Sequence, residues 1–375
     1  VTDARRLAAS VILAGFEGTE ASEPGPAAVA ALGVGGYIVF GRNVESPEQV
    51  HRLLAGLREA SGDRPVLYCV DQEGGRVARL RAPLTVWPPF ERLGRVDDPR
   101  EAESLGRAIA RELRAVGFTC DFAPCVDVNS NPDNPVIGDR ALAATSGPVQ
   151  RLGPAFARGV QAEGLLASAK HFPGHGDVNV DSHLDLPRCE LDRETLEAVH
   201  LAPFDACIAG GVGSVMSAHV VYPAVDPDHP ATLSRTWITE VLRGRMGYDG
   251  VVFTDDMEMG AIVEYHGVGA AAVQAVKAGI DGVLICRRLP RIEEAVAALA
   301  AEIEADPAFA ARCREARGRL EAAARRFPPR PLPVEQLAGA FRPPEHEALA
   351  ARLAAAGTTP VQSDPTAILH PEGIA

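Results

Sequence analysis

The sequence predicts an α/β fold, a (β/α)8 TIM barrel with a short C-terminal extension, on three observations. Eight short apolar runs, at residues 11–14, 36–40, 66–70, 119–123, 165–169, 214–217, 251–253 and 283–286, recur along the chain. They lack polar alternation, as parallel strands covered on both faces do. Amphipathic segments with legible start signals separate them, the pattern of a barrel, with a doubly wound open sheet as the rival. Three of the runs also end abruptly in charged residues, as strands do at the C-terminal rim where such barrels keep their chemistry.

Taken in order, the first helix with a clear start follows Ser46, with Pro47 at its first position and Gln49 three residues after the serine. This is a capping box, and Val50, Leu53, Leu54 and Leu57 then form one apolar stripe. The run at 66–70 leads into Asp71-Gln72-Glu73. Asp98-Pro99-Arg100-Glu101 starts another helix, with Leu105, Ile109 and Leu113 on its buried face and a stop at Gly117. The run at 165–169 leads into Lys170-His171, and that at 251–254 into Asp255-Asp256. Ser234 opens a helical segment in which Trp237 and Val241 share a face for packing. Residues 292–326 are rich in Ala and Glu and read as helix, and the proline-rich stretch 327–333 cannot continue it. The expected division is therefore a catalytic barrel over 1–326, then a linker and short tail over 327–375, too small for a core of its own.

Composition narrows the function. The 375 residues are 46% hydrophobic and 23% charged, with a formal net charge of −13. Such a surface repels nucleic-acid phosphates and anionic lipid, so neither nucleic acid nor membrane is expected as a partner. No apolar run approaches the ~18 residues that span a bilayer, and the opening Val1-Thr2-Asp3-Ala4-Arg5-Arg6 is not followed by a signal-peptide h-region. The seven cysteines lie mostly in apolar stretches and read as buried thiols of a reducing compartment, the cytoplasm. Gly33-Val34-Gly35-Gly36 and Gly210-Gly211-Val212-Gly213 lack the dinucleotide fingerprint and read as turns.

The densest chemistry lies in residues 170–183, with His171, His175, His183, Asp177 and Asp181, and with Gly174 and Gly176 as expected points of flexibility. His171, His175 and Asp177 form a conceivable ligand set for a metal-dependent hydrolase. Pro173-Gly174 keeps the two histidines off a common helix face, so no metal is assigned. Acid/base chemistry is the alternative. In an extended Asp181-Ser182-His183 the outer side chains point the same way, so Asp181 can accept a hydrogen bond from the His183 ring and fix its tautomer. Asp255 and Asp256, adjacent at a strand end, are expected on opposite faces, with one entering the barrel mouth. A carboxylate there, with an acid on the loop, makes the two catalytic groups of a retaining glycosidase.

Across about residues 8–290 these segments resemble glycoside hydrolase family 3, in particular its bacterial β-N-acetylglucosaminidases acting on cell-wall fragments. The resemblance is carried by Val70-Asp71-Gln72-Glu73-Gly74-Gly75-Arg76-Val77, Asn134-Pro135-Val136-Ile137-Gly138-Asp139-Arg140, residues 170–183, Ser217-Ala218-His219, Pro230-Ala231-Thr232-Leu233-Ser234 and Thr254-Asp255-Asp256-Met257-Glu258-Met259. It implies that Asp255 is the nucleophile, that His183 is the general acid/base held by Asp181, and that Asp71, Arg79, Arg140, Lys170 and His171 bind the terminal sugar. It implies no cofactor and no metal, with N-acetylglucosaminides such as muropeptide fragments as substrates. Ala141-Leu142 depart from the Ser-Phe more usual in the family, and residues 346–356 resemble the opening helix of its second domain. A β-glucosidase, a phosphorylase on the same fold, and a binding barrel without turnover are the other readings.

Overall fold

The computed structural model describes residues 2–178, 186–263 and 266–357. Each of the eight apolar runs forms a strand: β1 (Ile12–Ala14), β2 (Gly36–Val39), β3 (Leu67–Val70), β4 (Cys120–Asp121), β5 (Leu166–Phe172), β6 (Ser214–Ser217), β7 (Val251–Phe253) and β8 (Val283–Ile285). All pair in parallel, in the order β7-β6-β5-β4-β3-β2-β1-β8. A bridge between Phe253 and Gly282 brings the two edges together, so the sheet closes as a TIM barrel and the open-sheet rival falls.

Alternation along the strands divides the core in two. Leu13, Ile38, Leu67, Cys69, Cys120, Leu166, Met216, Val251, Phe253 and Leu284 fill the barrel interior. Outward residues such as Ile12, Tyr37, Tyr68 and Val252 join the layer shared with the helices. Leu320, Ala324 and Phe327 pack with the interior set, so the helix Pro307–Arg326 and the residue after it belong to the same core. Filled in this way, the barrel is a packed core and not a pore.

The helix signals operate at the atomic level. Ser46 Oγ accepts from Gln49 N at 3.1 Å, and Asp98 Oδ1 accepts from Arg100 N at 2.8 Å. The reciprocal half of the first capping box is displaced by one residue, because Gln49 Oε1 accepts from Glu45 N rather than from Ser46 N. Gly117, at φ 118°, ends the helix Pro99–Val116 in the left-handed conformation that glycine tolerates. The expected single helix over 292–326 is instead two, Leu289–Ala305 and Pro307–Arg326. Pro307 lacks the N–H needed to continue the first, and Asp306 caps the second through Ala308 N.

Beyond the proline-rich stretch, the helix Pro344–Ala355 lies against the barrel's helices. Glu112, buried, accepts from Thr85 N, Thr85 Oγ, Arg342 N and His346 Nδ1 at 2.6–3.2 Å. Leu349 and Leu353 are buried with the outer core. Among the described residues no helix is long and apolar enough to cross a membrane.

Candidate active site

At the C-terminal ends of the strands lies a cavity of about 270 Å³. Its floor is apolar, from Ile38, Phe122, Met216 and Leu284, and its walls carry Asp71, Arg76, Arg79, Arg140, Lys170, His171, His175, Asp255 and Asp256. Seven of the eight strands or their immediate extensions thus supply lining, which is the barrel's usual division of labour between rigid scaffold and reactive rim.

Local structure explains how the residues converge. Asp71 follows directly on β3, after which a short hairpin, Gln72–Gly74 with Val77–Ala78, turns back over the rim. Gln72 ties it down: its Oε1 accepts from Arg79 N and Leu80 N, its Nε2 donates to Leu80 O, and its own N–H donates to Asp121. Lys170 and His171 belong to β5 itself, which extends to Phe172 and not, as the sequence suggested, only to residue 169. Neighbours on a strand ordinarily face opposite ways, yet both line the cavity. The register between β5 and β6 slips between Lys170 and Phe172, a bulge that re-aims side chains.

One network of charges joins the five residues expected to hold the sugar. Arg79 Nη2 is 3.2 Å from Asp71 Oδ2, and Lys170 Nζ lies 2.8 Å from Asp71 Oδ1 and 2.7 Å from Glu73 Oε1. Arg140 grips both Glu73 oxygens, at 3.0 and 2.9 Å, and its Nη2 lies 3.4 Å from His171 Nε2. Across the ring, His171 Nδ1 donates to Asp127 Oδ2 at 2.7 Å. Asp127 also accepts from the backbone N–H groups of His171 and His175 and from the Cys125 thiol. Glu73 and Asp127 are the site residues that sequence reasoning passed over. Both carried the signal that exposed the others, a carboxylate set in or just beyond an apolar strand, Asp127 within Cys125-Val126-Asp127-Val128.

Electrostatics fix the protonation states. Burial pushes the Asp71 and Glu73 carboxyls up, but Lys170 with Arg79, and Arg140 with Lys170, more than offset it and hold both below the usual carboxylate range. Lys170 is correspondingly raised: burial lowers it, and Asp71 and Glu73 override that. Asp127 is held low against burial by the His171 ring. Asp255 shows the same balance, burial opposed by His171, His219, the Asp256 N–H and Lys170, and stays ionised. His219 is buried, bonded to Thr232 Oγ1 and the Asp256 carbonyl, so it buttresses the Asp255 segment from behind.

Two expectations need correction. Asp255 and Asp256 both line the cavity, because β7 ends at Phe253 and strand alternation no longer governs them. Asp256 is distinguished by its bonds, accepting from Glu258 N and Cys286 N, and burial pushes its carboxyl up to about 7. Gly174 and Gly176, expected to confer flexibility, are sites of close packing. A Cβ on Gly176 would lie 1.7 Å from the Val128 carbonyl oxygen, and Gly174, at φ +130°, abuts His200.

Of the metal set His171, His175 and Asp177, the first two rings touch edge to face at 6.0 Å, and Asp177 turns instead to Ser130 Oγ. Burial lowers His175 to about 4, so it is a neutral ring. Asp181 and His183 lie outside the described residues.

The profile of the glycosyl hydrolase family 3 N terminal domain matches residues 11–316. A beta-hexosaminidase of Alkalilimnicola ehrlichii is 42% identical over 281 residues, covering 73% of this chain and 80% of that one. A glycoside hydrolase family 3 beta-N-acetylglucosaminidase from Paenibacillus sp. superposes with a TM-score of 0.88 at 41% identity, covering 95% of this chain and 69% of its own. NagZ from Neisseria gonorrhoeae, solved in complex with N-trifluoroacetyl-D-glucosamine, gives a TM-score of 0.76 at 30% identity over 92% of this chain and 98% of its own.

Proposed function

Since the chain belongs to glycosyl hydrolase family 3, we propose that it is a retaining exo-β-N-acetylglucosaminidase. The observation that carries this reading is the ionised Asp255 in a cavity of about 270 Å³, facing the Asp71–Lys170–Glu73–Arg140 network. That volume falls just below the ~300–1,000 Å³ of pockets for drug-sized ligands, which suits one pyranose ring rather than a run of sugars. Binding one terminal ring makes cleavage exo.

In this reading Asp255 attacks the anomeric carbon and forms the covalent glycosyl-enzyme, while His183, oriented by Asp181, protonates the departing oxygen. The same imidazole then takes a proton from the incoming water, and net retention follows from two inversions. A histidine acid adds no second negative charge beside Asp255, and so avoids the repulsion that coupled carboxylates suffer. The chemistry needs no metal. Asp71, Arg79, Lys170, Arg140 and His171 hold the hydroxyls and acetamido group, because buried ions with fixed partners lose little entropy when a sugar hydroxyl joins them. The likeness to beta-hexosaminidases and to NagZ with its N-acylglucosamine ligand supports the acetamido sugar. Muropeptide fragments are the proposed substrates, and the cytoplasm the proposed compartment, supported by seven free, buried cysteines.

His183→Ala tests the division of labour. Substrates with poor leaving groups should lose far more rate than activated aryl glycosides, because only the former need a proton as the bond breaks. Equal losses on both would remove His183 from the role of acid.

A further inference from the structure

Beneath the sugar cavity the segment after β4 runs beside β5, with Cys125 bridged to Lys170. This brings Cys125 Sγ within 3.2 Å of Asp127 Oδ2, the oxygen that His171 Nδ1 meets at 2.7 Å. All three residues are buried, and their potential ligand atoms lie within 4.8 Å of one another, the one such three-residue group among the described residues. We propose that Cys125, Asp127 and His171 form a binding site for a thiophilic divalent cation, Zn2+ or Cd2+, whose occupation inhibits the enzyme.

The donor set is a thiolate, an imidazole and a carboxylate, a combination suited to such ions and leaving a fourth position open. With bonds of ~2.0–2.3 Å a tetrahedral ion spaces its ligands by roughly 3.3–3.8 Å. The present contacts of 2.7 and 3.2 Å are held by protons, so replacing those protons with an ion opens them by an ångström or less. Burial and the neighbouring Asp127 carboxylate hold the Cys125 thiol in its protonated form, so the ion itself must displace that proton.

The binding step balances as follows. The ion displaces the Cys125 thiol proton to solvent and the His171 Nδ1 proton to solvent or to Nε2, and a dication held by a thiolate, the Asp127 carboxylate and an imidazole carrying its hydrogen on Nε2 leaves the site neutral. Inhibition follows from the movement of His171. Opening its contact with Asp127 to admit the ion shifts the His171 edge that lines the cavity, and with it Nε2, which lies 3.4 Å from Arg140.

Cys125 is the discriminating ligand, because it does not line the cavity. The full chain is titrated with CdCl2 while the ultraviolet thiolate-to-cadmium absorption band and bound ion by equilibrium dialysis are recorded, and with ZnCl2 while hydrolysis of an aryl N-acetylglucosaminide is followed. Cys125→Ala, with Cys125→Ser as a second variant of nearly unchanged volume, is treated identically. The expected result is one bound ion with a thiolate band in the parent chain and reversal of inhibition by chelator. In the variants the band is lost and the inhibiting concentration rises at least ~10-fold, since a direct ligand costs no less than an outer-shell partner. An unchanged band and unchanged inhibition in both variants would place the ion elsewhere and overturn the proposal, as would a parent chain that binds no Cd2+. The kinetic arm rests on the glycosidase reading above; the absorbance and dialysis arms do not, so failure of either is told apart.

Discussion

Asp127 does not line the cavity, yet it receives the His171 ring, two backbone N–H groups and a thiol. It is a positioning residue, fixing the His171 tautomer and tying the end of β5 to the start of the following loop. Asp127→Asn substitutes a donor for one acceptor and removes the charge. We expect kcat/KM to fall ~10–100-fold with the fold retained, the usual cost of an outer-shell partner, as checked by kinetics beside a thermal melt. Asp256 gives a pH prediction. Its carboxyl is raised from 3.8 to about 7 by burial, so between those values the folded state holds a proton that the unfolded state has lost. Its contribution to stability therefore falls as pH rises through that window and is flat above it. Asp256→Asn keeps an oxygen for Glu258 N and Cys286 N, so the difference in unfolding free energy between parent and variant should shift in the variant's favour from pH 4 to pH 7. A difference that does not change with pH would contradict the assignment. At this scale the sequence exposed Asp71, Lys170 and Asp255 because each follows an apolar run. Glu73 and Asp127 carried a similar local signal, but their roles rest on partners 67 and 44 residues away, Arg140 and His171, which no single segment shows.

Among the elements, the eight strands were legible because burial on both faces leaves uninterrupted apolar runs, and the helix starts because caps are local chemistry. The bulge in β5 was not, since it arises from the register with β6 and is written in no single segment. The same holds for Gly176, whose purpose is set by Val128, a residue of the neighbouring connection. Gly176→Ala would force a Cβ into that carbonyl oxygen, and overpacking of this kind costs ~1–3 kcal/mol. We expect a lowered melting temperature together with a loss of kcat/KM, because Gly176 lies within the 170–183 stretch that carries the proposed acid. Unchanged melting and kinetics would show that the contact relaxes freely.

For the whole molecule, the barrel and the residues after it form one structure as far as residue 357. The Glu112 node joins Thr85, Arg342 and His346, and the carbonyl of Trp87, whose ring lies against His346, accepts from Gly75 N in the hairpin between Asp71 and Arg79. Composition anticipated the acidic, cysteine-reduced chain but not this clasp, which depends on a histidine more than two hundred residues from its carboxylate. The proposed activity belongs to the whole assembly, a rim drawn from seven strands acting on one terminal acetamido sugar. Its most direct test is kcat/KM for an aryl β-N-acetylglucosaminide against the matching aryl β-glucoside at neutral pH in chelator, with Asp255→Asn as control. We expect a strong preference for the acetamido sugar, abolished in a variant that melts like the parent. Equal turnover of both sugars, or near-normal activity in Asp255→Asn, would contradict it.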